Sequence, residues 1–145
     1  MLFIIIKPLL ILYKSIFQLY MKIYDCFMFF DEEMLLDLRL NIMDKYVDKF
    51  VITEANYMHS GRPKKLNFNI NKFPKYKDKI IYKVVDKQPT NIVPLDKNDD
   101  EKTREVKLIN NSNKREHYQR EMIGECLNDA DYDDFIIIGD VDEIP

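Results

Sequence analysis

The sequence lacks the cysteine pairs and the excess of one charge that mark several classes of protein, and it has no internal repeat. Its two cysteines, Cys26 and Cys126, lie in apolar segments, which favours buried free thiols over a disulfide or a cysteine metal site. The 22 basic and 25 acidic residues are interleaved, with a net charge of -3, which argues against nucleic-acid binding. With 46% hydrophobic and 32% charged residues, the 145-residue chain has the composition of one globular domain.

The first 20 residues are mostly apolar but lack the features of a clean membrane anchor. Lys7, Pro8 and Lys14 interrupt the run, and no positive cluster precedes it as a signal peptide requires. We therefore interpret residues 1–20 as an apolar N-terminal extension and residues 21–145 as the folded domain, with Met21 as the expected start. A membrane anchor is the alternative interpretation.

Four apolar segments favour β-strands that are covered on both faces. They occupy residues 22–30, 49–54, 79–85 and 135–138. The segments between them contain helical patterns, and strands that alternate with helices predict an α/β fold with a mostly parallel sheet. The last segment is expected to be a core strand.

Two helices are predicted between these strands. The first has Asp31 as its N-cap and an apolar face widened by Met43. The residues of that face are Leu35, Leu38, Ile42 and Tyr46. The second helix begins at Asn113, with Glu116 as its capping-box partner, and residues 86–112 before it are predicted to form a long loop. A short helix is also expected near residues 66–73.

Carboxylates follow all four predicted strands, at the edge where parallel sheets bind their ligands. They are Asp31, Glu54, Asp86, Asp140 and Asp142. Helix capping and chance explain some of these positions singly. Together they indicate a functional site at the carboxyl ends of the strands.

Asp140 and Asp142 are the clearest functional signal. On an extended backbone their side chains would leave the same face and repel one another unless a cation lay between them. Mg²⁺ and Mn²⁺ commonly take one or two protein carboxylates and complete their shell with water and phosphate oxygens. The two residues therefore predict a divalent-cation site, with Gly139 allowing a close approach. A solvated acidic turn is the structural alternative.

Two other acidic motifs fit the segment DVDEIP less well. It lacks the third acidic position, the central glycine and the terminal glutamate of a calcium-binding EF-hand loop. A haloacid-dehalogenase-like phosphohydrolase also places an Asp-x-Asp after an apolar strand. In that family the strand opens the domain and a small hydroxyl residue follows, whereas Ile144 and Pro145 follow here. The phosphohydrolase is kept as an alternative enzyme class.

Four separated segments read KIYDCFMFFDEEMLLDLRLNIMDKYVDKFVITEA, HSGRPK, KREHYQREMI and DFIIIGDVDEIP. Together they resemble glycosyltransferase family 17, the family of the enzyme that adds the bisecting N-acetylglucosamine to the core mannose of N-glycans. The resemblance covers nearly all of residues 21–145 apart from the loop at 86–112. It implies a GT-A-like, Rossmann-like fold with a mostly parallel sheet and flanking helices, in which the Asp-x-Asp holds a metal and the sugar-nucleotide diphosphate.

The resemblance implies an inverting, metal-dependent transferase that moves N-acetylglucosamine from UDP-N-acetylglucosamine to a glycan hydroxyl. Asp140 and Asp142 would hold Mn²⁺ or Mg²⁺ against the diphosphate. The general base of such enzymes commonly lies beyond the Asp-x-Asp, so it is expected after Pro145. The chain is therefore expected to be truncated, the amino-terminal half of the domain, with little or no transferase activity by itself. A non-catalytic nucleotide-binding remnant is a third interpretation.

Five further side chains become candidate contacts to the donor through this resemblance. They are Glu54, His59, Lys64, Arg115 and Arg120, and Asp140 would be shared between cation and donor. Structural roles compete with each assignment: a loop-capping carboxylate, a solvated histidine, surface cations, and an ion pair between Glu116 and Arg120.

The sequence leaves the compartment open. No credible targeting signal is present, so a cytoplasmic location is the default expectation. Eukaryotic relatives in the resembling family are type II Golgi membrane enzymes, which keeps the anchor interpretation of residues 2–20 alive. The expected partners are a UDP-sugar donor and a glycan or glycoprotein acceptor.

Overall fold

Strands and helices alternate along the described part of the chain, which is residues 21–145 of the computed structural model. The strands are β1 (Ile23–Met28), β2 (Lys49–Ala55), β3 (Ile80–Val85) and β4 (Phe135–Asp140). The α-helices are α1 (Glu33–Met43) and α2 (Glu101–Glu121), and short 3-10 helices occupy Ile70–Lys72, Pro74–Tyr76 and Gly124–Cys126. The predicted extension or anchor at residues 1–20 lies outside the described residues.

The strands form one parallel sheet in the order β3-β2-β1-β4. β1 lies inside the sheet, where Cys26 is beside Val51 of β2 and Ile138 of β4. Helices cover both faces of the two inner strands, which is why β1 and β2 read as nearly continuous apolar runs. The predicted α/β, Rossmann-like fold with flanking helices is confirmed.

Side chains of β1 alternate between two cores, as the period of an extended strand requires. Phe27 belongs to the larger core with Leu36 of α1, whereas Tyr24 and Cys26 belong to a second core with Ile123, which follows α2. Asp25 projects from the same face as Phe27, toward α1. The sheet therefore places a carboxylate within the apolar contact between β1 and α1.

Helix α1 buries a face that differs from the predicted one. Its buried residues are Leu36, Arg39, Leu40 and Met43. The predicted residues Leu38, Ile42 and Tyr46 are instead 47%, 41% and 56% exposed. Met43, which was predicted to widen the face, is buried, and Leu35 packs against the core. The rest of the prediction was wrong because apolar residues occupy both sides of the helix and the buried side includes a charged residue, Arg39.

The predicted N-cap of α1 was also wrong. Glu32, not Asp31, takes the N-cap position, and it makes no side-chain hydrogen bond into the helix. Its carboxylate instead accepts hydrogen bonds from the backbone N–H groups of Phe30 and Asp31, each over 3.1 Å. Glu32 thus holds the tight connection between β1 and α1.

Helix α2 begins at Glu101, so the predicted loop over residues 86–112 was wrong in its second half. The actual N-cap is Asp100, whose Oδ1 accepts a hydrogen bond from the N–H of Thr103 over 2.7 Å. The predicted cap residues Asn113 and Glu116 lie inside the helix. The buried residues of α2 are polar, so its sequence shows no apolar stripe from which the whole helix could be predicted. These residues are Asn111, Arg115 and Gln119.

Strand β4 is an edge strand of the described sheet, not the expected core strand. Among the described strands it pairs only with β1. Phe135 and Ile138 are consequently 58% and 51% exposed.

The helices of the described domain were also compared with the length and hydrophobicity that a membrane span requires. No helix within residues 21–145 is long and apolar enough to cross a bilayer.

Candidate functional site

A cleft of about 450 Å³ opens where β1, β2 and β4 end. Its polar lining residues are Glu32, His59, Glu116, Gln119, Asp140 and Asp142. Its apolar lining residues include Met28, Phe29, Phe30, Ala55, Tyr57 and Val141. The cleft lies at the carboxyl ends of parallel strands, which is the usual place for a ligand in an open α/β sheet.

Asp140 and Asp142 both line this cleft, although by a different geometry from the predicted one. β4 ends at Asp140, and the next residues form a turn in which the N–H of Glu143 donates to the carbonyl of Asp140 over 3.0 Å. We call residues 140–143 the acidic turn. The expectation of an extended backbone from Asp140 to Asp142 was therefore wrong, yet the turn still brings both residues to one cavity.

Gly139 supports the acidic turn. The carboxylate of Glu143 folds back and accepts a hydrogen bond from the N–H of Asp140 over 3.1 Å. A Cβ at Gly139 would lie 3.2 Å from Glu143 Oε2, which is tighter than an ordinary contact. The glycine was predicted to leave room for a close approach, and the approaching group is the side chain of Glu143.

A buried arginine holds the acidic turn from beneath. Arg39 donates from Nε and Nη2 to the carboxylate of Asp25, over 2.9 and 2.7 Å, and both side chains are 0% exposed. Its Nη1 donates to the carbonyls of Asp140 and Glu143, the latter over 2.9 Å. The guanidinium also lies 4.6 Å from the ring centroid of Phe27. One cation thus links β1, α1 and the acidic turn.

Sequence reasoning missed Asp25 and Arg39. The available signal was a carboxylate in the middle of an apolar strand, which has to find a buried cation because an unpaired buried charge is very costly. Arg39 was the matching signal on α1. Because the buried face of α1 was assigned from apolar residues alone, Arg39 was left out, and Asp25 had no predicted partner.

Arg120 reaches the cleft from α2. Its Nη2 donates to Asp140 Oδ1 over 2.9 Å and lies 3.4 Å from Glu116 Oε1. The ion pair expected within the helix is therefore present but is longer than the bond to Asp140. Of the site residues predicted from the sequence, the structure brings Asp140, Asp142, Arg120 and His59 to the same region.

Arg115 is turned away from the cleft, against the loop that carries His59. Its Nη1 donates to the carbonyl of His59 over 3.0 Å and its Nε to Gln88 Oε1 over 2.8 Å. The guanidinium packs on Gly61, which has φ 87° and where a Cβ would lie 2.6 Å from Nη2. The positive φ and the missing Cβ explain the glycine in HSGRPK. Arg115 thus holds the position of the His59 loop, and its contact to the donor stays a prediction.

Glu54 and Lys64, also predicted donor contacts, form a buried pair outside the cleft lining. Lys64 Nζ donates a hydrogen bond to the carboxylate of Glu54. The same carboxylate accepts hydrogen bonds from the backbone N–H groups of Asn67 and Phe68, over 2.7 and 3.0 Å. The hydroxyl of Tyr82 donates to it over 2.8 Å, and burial together with this carboxylate raises the pKa of Tyr82. Glu54 fixes a loop to the sheet, which was the competing structural interpretation.

Asp31 and Asp86, the other strand-end carboxylates, do not line the cleft either. Asp86 follows β3, which is separated from β4 by β2 and β1. At about 4.8 Å per strand this is about 14 Å across the sheet. The predicted cluster of strand-end carboxylates is therefore not one site. Of its members, only Asp140, which ends β4, and Asp142, which follows it, line the cleft.

Phenylalanine rings form a wall of the cleft that the sequence reading did not assign. Phe30 is 40% exposed at the cleft, and Lys64 Nζ lies 5.0 Å from its ring centroid. Phe29 beside it is buried. A flat apolar surface next to two carboxylates suits a ligand that has an aromatic base at one end and phosphates at the other.

The donor set of the cleft is compatible with a divalent cation that is shared with a phosphate ligand. Within residues 21–145, no group of three or more His, Cys, Asp or Glu side chains is arranged to hold a metal by itself. Asp140 and Asp142 offer carboxylates alone, and Mg²⁺ or Mn²⁺ bound in this way takes its remaining ligands from water and substrate phosphates. Arg120 already provides one cationic contact to Asp140.

Comparison with known proteins gives one match. The model of a family described as glycosyltransferase family 17 matches residues 13–145. No curated protein and no solved structure matches the chain. The match includes every residue of the cleft described above.

Proposed function

The chain belongs to glycosyltransferase family 17, and on that premise we propose that it transfers N-acetylglucosamine from UDP-N-acetylglucosamine to a mannosyl hydroxyl of a glycan. We further propose that the transfer inverts the anomeric centre and requires Mn²⁺ or Mg²⁺. Membership of this family implies that a sugar is transferred from a donor to an acceptor. It favours this chemistry over the phosphohydrolase alternative.

One observation carries the proposal: Asp140 and Asp142 line the same cleft as Phe30, which is 40% exposed. Carboxylates that share a cation suit a diphosphate, and the phenyl ring suits a base that stacks on it. A UDP-sugar has both groups. The cleft volume of about 450 Å³ lies within the range of small-ligand sites.

In this proposal Asp140 and Asp142 hold the cation and orient the diphosphate. When bound, the cation would neutralise the charge that builds on the leaving UDP. Arg120, whose side chain is 37% exposed, can donate to a diphosphate oxygen from its place beside Asp140. Arg39, buried beneath the acidic turn, would keep these carboxylates in place during the reaction.

The proposed reaction is a single displacement. The acceptor oxygen forms a bond to the anomeric carbon as the bond from that carbon to the diphosphate oxygen breaks. The bonding electrons leave with UDP, and the proton of the acceptor hydroxyl passes to a general base. The transition state has oxocarbenium character, as in glycoside cleavage.

Calorimetric titration of UDP with and without Mn²⁺ tests the site. We expect Mn²⁺ to tighten UDP binding by about tenfold or more, and Asp142→Asn to remove that gain. Asp133→Asn is the matched control, since it removes a carboxylate from the exposed segment before β4 and is outside the cleft. Equal UDP affinity with and without Mn²⁺, or an unchanged Mn²⁺ effect in Asp142→Asn, would contradict the proposal.

Competition identifies the sugar. UDP-N-acetylglucosamine should displace bound UDP more effectively than UDP-glucose or UDP-galactose in the presence of Mn²⁺. A clear preference for another UDP-sugar would contradict the proposed donor but would leave the proposed cation site intact.

A further inference from the structure

The buried ion pair between Asp25 and Arg39 is tied to the cleft by contacts that stability alone does not require. We propose that this pair is a positioning device that sets the acidic turn for cation and diphosphate binding. The inference rests on the proposed function of that turn. It adds two residues that do not line the cleft and that act through Asp140 and Glu143.

The geometry of Arg39 uses all three nitrogens of the guanidinium. Nε and Nη2 donate as a fork to both oxygens of Asp25, over 2.9 and 2.7 Å. Nη1 is directed away from this carboxylate and donates to the carbonyls of Asp140 and Glu143. These carbonyls are the first and last of the acidic turn, so a single planar group fixes both ends of it.

The charged pair costs desolvation that apolar residues would avoid. Both side chains are 0% exposed, in a core formed by apolar residues such as Phe27 and Leu36. Buried ion pairs can often be replaced by apolar residues of similar volume without loss of stability. Stability is therefore a poor reason for a charged pair at this place, whereas hydrogen bonds to the acidic turn need a donor with this shape.

Only an arginine combines the two tasks. A lysine ammonium is a compact point charge on a flexible stem, and it cannot form the carboxylate fork and reach both turn carbonyls at once. Asp25 in turn prevents the guanidinium from rotating out of the turn. The direction in which Asp140 and Asp142 leave the turn thus depends on a pair that lies on β1 and α1.

The test replaces the pair together, with Asp25→Leu and Arg39→Met in one protein, so that no buried charge is left alone. The chain should fold, as judged by circular dichroism and cooperative urea unfolding. We expect the dissociation constant of UDP with Mn²⁺ to rise by about tenfold or more, as found when an outer partner of a metal ligand is lost. Hydrogen exchange at the amide of Glu143, which donates to Asp140, should become faster by about threefold or more, while exchange in β2 is unchanged.

Two controls separate positioning from stability. Met43→Ala removes a buried side chain in the last turn of α1, so it should lower stability and leave the Mn²⁺-dependent UDP affinity unchanged. Arg39→Lys keeps the charge and should weaken UDP binding with Mn²⁺ several-fold even where it folds normally. If the double variant does not fold, UDP binding by Arg39→Lys tests whether the pair positions the acidic turn.

The outcomes are distinct from failure of the proposed function. If the wild-type chain shows no Mn²⁺-dependent UDP binding, the proposed function fails, and the exchange rate at Glu143 still tests the positioning role. Wild-type affinity and exchange in a folded double variant or in Arg39→Lys would overturn the inference. Failure of both variants to fold would assign the pair to stability alone and would also overturn it.

Discussion

Arg120 donates a hydrogen bond to the carboxylate of Asp140 over 2.9 Å, so the residue proposed to bind a cation is already paired with one. Each side chain is partly exposed, at 37% for Arg120 and 49% for Asp140. Pairs of this kind are weak, typically about 0.2 to 1 kcal/mol, and can be exchanged for another partner. An incoming divalent cation would therefore compete with Arg120, and the released guanidinium would be free to meet a diphosphate.

Arg120→Gln should tighten the binding of Mn²⁺ alone and weaken the binding of UDP in the presence of Mn²⁺. Loss of the competing pair corresponds to about 1.4- to fivefold tighter Mn²⁺ binding, which electron paramagnetic resonance titration can measure. Arg104→Gln, on the first turn of the same helix, is the charge-matched control. Weaker Mn²⁺ binding in Arg120→Gln, or the same gain in Arg104→Gln, would refute a specific competition.

Gly61→Ala should lower the free energy of unfolding by about 2 kcal/mol. The backbone has φ 87°, which costs a non-glycine residue about 1 to 2 kcal/mol, and the new methyl would lie 2.6 Å from Arg115 Nη2. Gly124→Ala is the matched control, because a Cβ there would meet nothing within 4 Å. Urea unfolding of both variants measures the difference. An equal, small effect at the two glycines would contradict the positional role of Gly61.

The strands could be predicted from the sequence because each contains a continuous apolar run, and the two inner strands, β1 and β2, are buried. The predicted segment at residues 49–54 became Lys49–Ala55, and that at 79–85 became Ile80–Val85. Parallel strands covered on both faces leave a local, continuous apolar signal. Asp140 and Asp142 were found because Asp140 ends the apolar run of β4, although this edge strand is partly exposed and the turn itself was not predicted.

The helices were predicted less well because their buried faces include polar residues, one on α1 and three on α2. Arg39 on α1 and Gln119 on α2 contact partners that lie far away along the chain, Asp25 and the carbonyl of Thr53. A hydrophobic period cannot detect a buried residue whose partner is supplied by another element. The same limit applies to Arg115, whose contact with the His59 loop spans 56 positions.

Glu54→Gln should lower the free energy of unfolding by about 3 kcal/mol, because it leaves the buried ammonium of Lys64 without a charged partner. Glu33→Gln, in the exposed pair with Lys72, should change it by less than about 0.5 kcal/mol. Chemical unfolding compares the two. If Glu54 served the donor directly, the folded variant would lose UDP affinity as well as stability. We expect the affinity of the folded fraction to stay the same, because Glu54 does not line the cleft.

Cys26 should be almost inert to alkylation in the native protein. Both cysteines are free, as predicted, and burial raises the pKa of the Cys26 thiol from 9.0 to about 12. At pH 8 the thiolate fraction is then about 1,000-fold lower than in the unfolded chain, before any protection by the core is counted. Timed iodoacetamide labelling with peptide mass spectrometry should show Cys126, which is partly exposed, reacting first.

The same pKa shift predicts a loss of stability at alkaline pH. Below pH 9.0 the thiol is protonated in both states, and up to about pH 12 only the unfolded chain ionises at Cys26, so ionisation favours unfolding as the pH rises. Cys26→Ala, which lacks this group, is less stable at pH 8 because of the cavity it creates. Its deficit relative to wild type should shrink by up to about 1.4 kcal/mol per pH unit above the ordinary thiol pKa. Urea unfolding at pH 8 and pH 10.5 measures the change, with Cys126→Ala as the matched variant, and a constant deficit would show that Cys26 ionises as easily in the folded chain as in the unfolded one.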